Sequence, residues 1–161
     1  MPEVIVDTSP LQYLFQLGLL ELLPALYGQV LIPEAVAREV AVGRSKSVAL
    51  PVLDSLPWLT IRKVSSSAVL PLVSDLGAGE REVLALGIES SDPLLILDDA
   101  LARRFAQRFQ LAMTGTLGLL LRAKQIGRVE RVEPFLDRLE ALHFRLDEGT
   151  RASVLQIAGE V

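Results

Sequence analysis

Two short acidic turns carry the most chemistry in this chain: Asp7 in VIVDTSP, and Asp98 with Asp99 in LLILDDA. Each follows a run of apolar, partly β-branched residues, and each opens a helix pattern. A carboxylate in that setting sits at the C-terminal end of a buried parallel strand, where open α/β sheets bind their ligands. Two such ends side by side concentrate negative charge. That concentration is costly unless something positive, most simply a divalent metal, is bound there.

Further carboxylates fall at helical positions from which they can join the first three. Glu39 lies on a helix pattern opened by Pro33, and at ~100° per residue it borders the apolar stripe of Val36 and Val40. It reads equally as a site residue and as a surface residue at the stripe's edge. Glu34 falls nearly opposite Val36 and belongs to the solvent face or the helix start. Glu80 precedes Val83 and Leu84 by three and four residues, on the packed side of its helix. Glu82 turns away and suits helix-start electrostatics. Within the Asp98–Asp99 pair, one residue is expected to cap the next helix and the other to project, with Asp98 better placed to project. Ser9 ahead of Pro10 reads as an N-cap, which leaves Asp7 available. The single histidine, His143, lies far along the chain in a C-terminal helix pattern and reads as a structural or surface residue. Ser9 has no histidine to activate it as a nucleophile. Arg44 and Lys46, in a polar stretch read as a loop over 43–47, and Arg103, Arg104 and Arg108 after Asp98 are the cations that could meet a polyanion. Each also reads as solvated surface.

The elements that must position these groups alternate. Strands are expected at Val4–Val6, Val30–Ile32, Leu59–Val64, Leu94–Leu97 and Leu111–Met113. Helices are expected from Ser9 to Leu17, Leu19 to Leu26, Pro33 to Val42, Gly79 to Glu89, Asp99 to Phe109 and Gly115 to Gln125. Two more follow at Val132–Leu142 and Asp147–Ala158, and Leu50–Leu56 suggests a short additional one. Ser65–Ser67 reads as a turn. This βα alternation predicts an α/β fold, a three-layer α/β/α sandwich around a parallel sheet of about five strands, in one domain over 1–161.

Composition agrees. The 161 residues suffice for one full core, half of them are apolar, and the mean hydropathy of +0.40 suits a sheet buried on both faces. Lys and Arg number 16 against 20 Asp and Glu, a formal net charge of −4, which argues against nucleic-acid binding by bulk charge but permits a local basic rim. Cysteine is absent, so disulfides, thiolate metal sites and thiol nucleophiles are excluded, and a reducing cytoplasm is the expected setting. The apolar stretch from Leu14 to Ile32 is broken by Gln16, Glu21, Pro24 and Gly28, so no membrane span is expected. The N-terminus enters a strand pattern at once, so no signal peptide is expected. A receiver domain would place its acidic pair after the first strand and a Lys after the fifth. A haloacid-dehalogenase-like phosphatase would need Asp where Ser9 stands.

The blocks DTSPLQYLFQLGLLELLPALYGQVLIPEAVAREV, LGAGEREVLAL, LLILDDALARRFA and TGTLGLLLRAK, in this order, resemble PIN-domain proteins. The likeness is to the subgroup near VapC-type toxins, often described as predicted nucleic-acid-binding proteins containing a PIN domain. It spans Val4 to about Gly127. The resemblance implies a parallel sheet with the first strand central beside the fourth, and a metal-dependent nuclease acting mostly on RNA. It matches Asp7, Glu39 and Glu80 to the family's acidic positions, and places the last on Asp98 or Asp99. Many active members carry Asp where this chain has Glu80. On this reading Asp7, Glu39, Glu80 and Asp98 are catalytic. With Asp99 they would hold Mg²⁺ or Mn²⁺ through oxygen ligands and activate a water. Arg44, Lys46, Arg103 and Arg104 would contact RNA. An antitoxin partner is implied by the resemblance alone. A homodimer is suggested by the apolar helix around Leu117–Leu121, which equally suits a core. The alternative is a PIN fold without nuclease activity, serving as a binding or dimerising module.

Overall fold

The computed structural model describes residues 2–161, and the chain divides into two compact units, Met1–Gly115 and Thr116–Val161. The first unit holds five strands: β1 (Glu3–Val6), β2 (Val30–Pro33), β3 (Leu59–Arg62), β4 (Pro93–Ile96) and β5 (Ala112–Thr114). All pair in parallel, in the order β3-β2-β1-β4-β5, so β1 is central beside β4. Its helices are α1 (Thr8–Gln16), α2 (Leu22–Tyr27), α3 (Glu34–Ser45), α4 (Ala78–Glu89) and α5 (Ala100–Arg108). Helix α4 packs on β1, β2 and β4 and against α3 and α5. The apolar residues of EVIV and VLIP are buried because parallel strands are covered on both faces, whereas the edge strand β3 leaves Thr60, Ile61 and Arg62 exposed.

The chain leaves β1 toward β2 and β3, then returns across the sheet to β4 and β5. The reversal falls between β1 and β4, the switch point at which open α/β sheets form a crevice beyond their strand ends. Val6 is in register with Ile96, and the ladder continues past the strand as the Asp7 N–H donates to the Ile96 carbonyl at 3.1 Å. The Leu97 N–H donates to the Thr114 carbonyl at 2.9 Å, extending β4–β5 in the same direction. Backbone pairing thus carries both acidic turns to the same end of adjacent strands.

The second unit contains α6 (Thr116–Gln125), α7 (Glu133–Ala141) and α8 (Glu148–Ala158). Helix α8 stops at Gly159, whose φ of 73° is left-handed and suits a residue without a Cβ. The next residue, Glu160, ties the unit together. It accepts from the Val132 N–H (2.7 Å), the Glu133 N–H (3.0 Å) and Lys124 Nζ (2.9 Å). Lys124 Nζ also reaches the Ala158 carbonyl at 2.6 Å.

Several local expectations need correction. Helix α1 begins at Thr8, so Ser9 is not its cap; Asp7 holds that position without a side-chain cap bond. Pro10 is tolerated because first-turn N–H groups have no intrahelical partner in any case. Residues 43–45 are not loop but the last turn of α3, with Lys46 as its C-cap. Leu50 lies flush against Gly43 there, and basic residues suit a helix C-terminus. The expected helix at Leu50–Leu56 shrinks to a 3₁₀ turn at Leu53–Ser55. Another 3₁₀ turn, at Leu70–Val73, has no counterpart among the expected elements. The Ser65 and Ser66 amides donate to the Glu89 carboxylate at 2.9 and 3.1 Å, which holds the serine turn. His143 lies just beyond α7, exposed, with a φ of 69°.

Candidate functional site

Asp7 is the anchor of the acidic cluster. Its residue is only 4 % exposed, and its carboxyl is pushed up to about 8 from an ordinary 3.8. Burial is the main cause, the negative charges of Glu80, Glu39 and Asp98 add to it, and the Thr8 amide opposes it. Three of the carboxylates expected to converge on Asp7 therefore act on it electrostatically in the folded chain.

Glu39 reaches the cluster from α3, and tertiary contacts hold both of its oxygens. Thr8 Oγ1 donates to Oε1 at 2.5 Å, and the Gly79 N–H, in the first turn of α4, donates to Oε2 at 3.1 Å. Gly79 has to lack a side chain. A Cβ there would collide with Glu39 Oε1 and lie 3.2 Å from Asp7 Oδ1. The carboxylates of Asp7 and Glu39 thus close around one bare stretch of backbone at the start of α4.

Glu80, the next residue, is half-buried. Its Oε1 accepts from the Gly77 N–H at 3.0 Å, half of a capping box that starts α4. Its carboxyl is raised by burial, by Asp99 and by Glu39, against the Gly77 amide. Glu82 does more than serve its own helix start. Its Oε1 accepts from the Ala35 N–H at 2.9 Å, capping α3, and its Oε2 lies 3.7 Å from Arg38. It ties α3, which carries Glu39, to α4, which carries Glu80.

The structure separates the roles of Asp98 and Asp99. Asp99 caps α5, with Oδ2 accepting from the Ala102 N–H at 2.9 Å. Asp98 projects instead. Its charge acts on Asp7 and, after burial, is the second cause raising the Tyr13 hydroxyl. Gly115, at the end of β5, leaves room for it; a Cβ there would lie 2.7 Å from Asp98 Oδ1.

The candidate cations scatter. Arg44 and Lys46 are exposed at the C-terminal end of α3, and Arg44 lines a groove of about 520 Å³ with Phe15, Leu20 and Leu56. Arg104 is exposed on α5, and Arg108 stacks over the Phe105 ring at 5.9 Å. Arg103 turns back toward the sheet, and its Nη1 donates to the Leu97 carbonyl at 2.8 Å. Thr8, Gly79 and Gly115 were not among the expected site residues. Thr8 and Gly79 carry one local signal, being small and next to acidic positions in DTS and GAGE, whereas Gly115 in TGT has no acidic neighbour in sequence and meets Asp98 only through the fold.

Hard oxygen donors, a buried carboxyl with no ion pair among the described residues and a glycine cradle fit a divalent cation. Among the described residues, no three carboxylates or imidazoles are already drawn together as a formed metal cage. Nor is any helix there long and apolar enough to cross a membrane.

No curated protein matches the chain. A family model described as a PIN domain matches residues 3–160. With the parallel β3-β2-β1-β4-β5 sheet and the carboxylates at its switch point, that match settles the family: the chain belongs to the PIN-domain proteins, a nuclease fold.

Proposed function

We propose that this chain is a metal-dependent ribonuclease that hydrolyses RNA phosphodiesters with Mg²⁺ or Mn²⁺. The observation that carries the reading is Asp7, a buried carboxyl at the switch point with three other carboxylates acting on it and no ion pair among the described residues. Charge arranged in this way destabilises the ion-free state and is relieved by a bound cation. Residues 1–161 act as one PIN-like domain on this reading, since the family match runs through both compact units.

Asp7, Glu39 and Asp98 would hold the ion, with Glu80 and Asp99 beside them. When bound, the ion supplies a Lewis acid that lowers the pKa of water and offsets phosphodiester charge. The chain's own residues prepare that site. Thr8 and the Gly79 amide hold the two Glu39 oxygens in place. Asp7 itself is buried at the end of β1, and its N–H is tied to the Ile96 carbonyl of β4. No side-chain nucleophile is needed: the chain has no cysteine, and its one histidine is exposed beyond α7. Arg44, Lys46 and Arg104 are the exposed cations available to RNA, and Arg103 lies closest to the acidic end of β4.

We extend the proposal to a cytoplasmic homodimeric toxin held by an antitoxin. An adjacent reading frame encoding a small DNA-binding protein with an amphipathic tail would support it. A second reading, a PIN fold without nuclease activity, is favoured by one observation: Glu80 and Asp99 each spend an oxygen on a helix cap. Metal titration separates the two. The nuclease reading expects Mn²⁺-dependent cleavage of RNA that is lost in Asp7→Asn. It fails if the purified protein binds no divalent ion at about millimolar levels and Asp7→Asn is as stable as the parent.

A further inference from the structure

The acidic cluster has one guanidinium at its edge, and its position is unusual for a cation. Arg103 lies in the first turn of α5, four residues after the Asp99 cap, with its N–H donating to the Asp99 carbonyl at 2.9 Å. A positive charge at a helix N-terminus opposes the helix dipole. Its neighbour Arg104 is exposed, as is Arg108 in the last turn, whereas Arg103 is half-buried and folds over the end of β4 to the Leu97 carbonyl.

Gly115 shows what it meets there. A Cβ on Gly115 would lie 2.7 Å from Asp98 Oδ1, 3.0 Å from Arg103 Nη1 and 3.0 Å from the Leu97 carbonyl oxygen. The carboxylate and the guanidinium therefore face one point and are no farther apart than the sum of those distances, 5.7 Å, close enough to interact through space, with no direct ion pair between the two among those of the described residues. A side chain at 115 would fill the space they share. Asp7, Glu39 and Glu80 make no ion pair among the described residues.

We propose that Arg103 is the resident counter-charge of the acidic cluster: a positioning residue that holds Asp98 at the end of β4 in the ion-free protein, not a surface contact for RNA. The helix dipole disfavours a cation at this position, and the adjacent carboxylates compensate. The Leu97 carbonyl fixes the guanidinium at the shoulder of Asp98, leaving the space beside Asp7 open. The last arm of the test alone rests on the metal-site reading.

Two substitutions divide the charge from the hydrogen bond. Arg103→Lys keeps the charge; Arg103→Gln keeps a donor for Leu97. Thermal melts in EDTA are expected to show Arg103→Gln losing roughly 3–6 °C and Arg103→Lys losing less than half of that. In an Asp98→Asn background the Arg103→Gln loss should largely vanish, since the interacting charge is gone. Losses that add, or a Lys variant no better than Gln, overturn the proposal and leave Arg103 as a strut on the Leu97 carbonyl. With saturating Mn²⁺ the Arg103→Gln deficit should narrow, and an undiminished deficit in a protein that Mn²⁺ does stabilise also overturns it. Absence of any Mn²⁺ shift in the parent chain sinks the metal-site reading instead, and the double-mutant cycle in EDTA still decides the role of Arg103.

Discussion

Asp7 in the first unit is a buried residue and Glu160 in the second a half-buried one, and desolvation acts on both carboxyl groups. Their carboxyl groups are nevertheless driven in opposite directions. Burial pushes both up. At Glu160 that push is overcome by the Val132 and Glu133 amides and by Lys124, and the group is held down at about 2. At Asp7 burial is reinforced by Glu80, Glu39 and Asp98, only the Thr8 amide opposes it, and the group rises to about 8. Burial alone does not set the state of a carboxyl group; its partners do. Glu160 brings its own donors and serves as a latch. Asp7 sits among like charges, the arrangement on which the proposed cation site rests.

The sharpest way to break this comparison is pH, because the two groups predict opposite slopes. The folded pKa of Asp7 lies above its unfolded value of 3.8, so its contribution is full below about pH 4 and is lost as pH rises toward about 8. Ion-free protein should therefore lose stability between pH 5 and 8, on the order of a few kcal/mol. Asp7→Asn should flatten that slope and raise stability at pH 8, as measured by chemical denaturation in EDTA. A parent chain equally stable at pH 5 and 8 would remove Asp7 as a stressed acid.

Glu160 lies on the other side. Its folded pKa is below the ordinary 4.5, so its contribution is present above pH 4.5 and is lost as pH falls toward 2. Glu160→Gln leaves Lys124 without its carboxylate and weakens two amide bonds, at a cost of about 2 kcal/mol. Calorimetry at pH 7 should show a fall of roughly 4–8 °C, with Mn²⁺ affinity unchanged. A variant that melts with the parent would show that the latch is not load-sharing.

The smallest expected effect tests the cradle. In Gly79→Ala the new Cβ meets Glu39 and Asp7, but alanine also favours the helix, so the net cost should be only about 1 kcal/mol. The larger readout is Mn²⁺ affinity, which should fall because the two carboxylates are pushed apart. An unaltered titration would show that Asp7 and Glu39 need not approach one another to bind an ion.

Much of the fold was legible in the chain. Val4–Val6, Val30–Ile32 and Leu94–Leu97 are short apolar runs bounded by turn chemistry, and they became β1, β2 and β4 within a residue at either end. Helix boundaries were read less well wherever packing overrode local signals, as at Gly43 and Ser9. The candidate site was legible in part. Asp7, Glu80 and the Asp98–Asp99 pair sit at element boundaries, which sequence marks by caps and by changes of period. Glu39 lies mid-helix, where the apolar stripe left two readings open. Its contacts with Thr8 and Gly79 are 31 and 40 residues away in sequence, so no local pattern could disclose them.

The sequence by itself therefore determined the alternating elements, the acids at the strand ends and the absence of thiol chemistry, because these depend on residue type and on neighbours within a helical turn. The resemblance already implied β1 beside β4, and the sheet bears that out; only the tertiary structure decided that Glu39 is held between two helix starts, that Asp99 caps while Asp98 projects, and that Arg103 turns inward beside it. Those outcomes depend on which distant backbone groups share one buried space. There, burial and the sign of neighbouring charge set the state of each carboxylate.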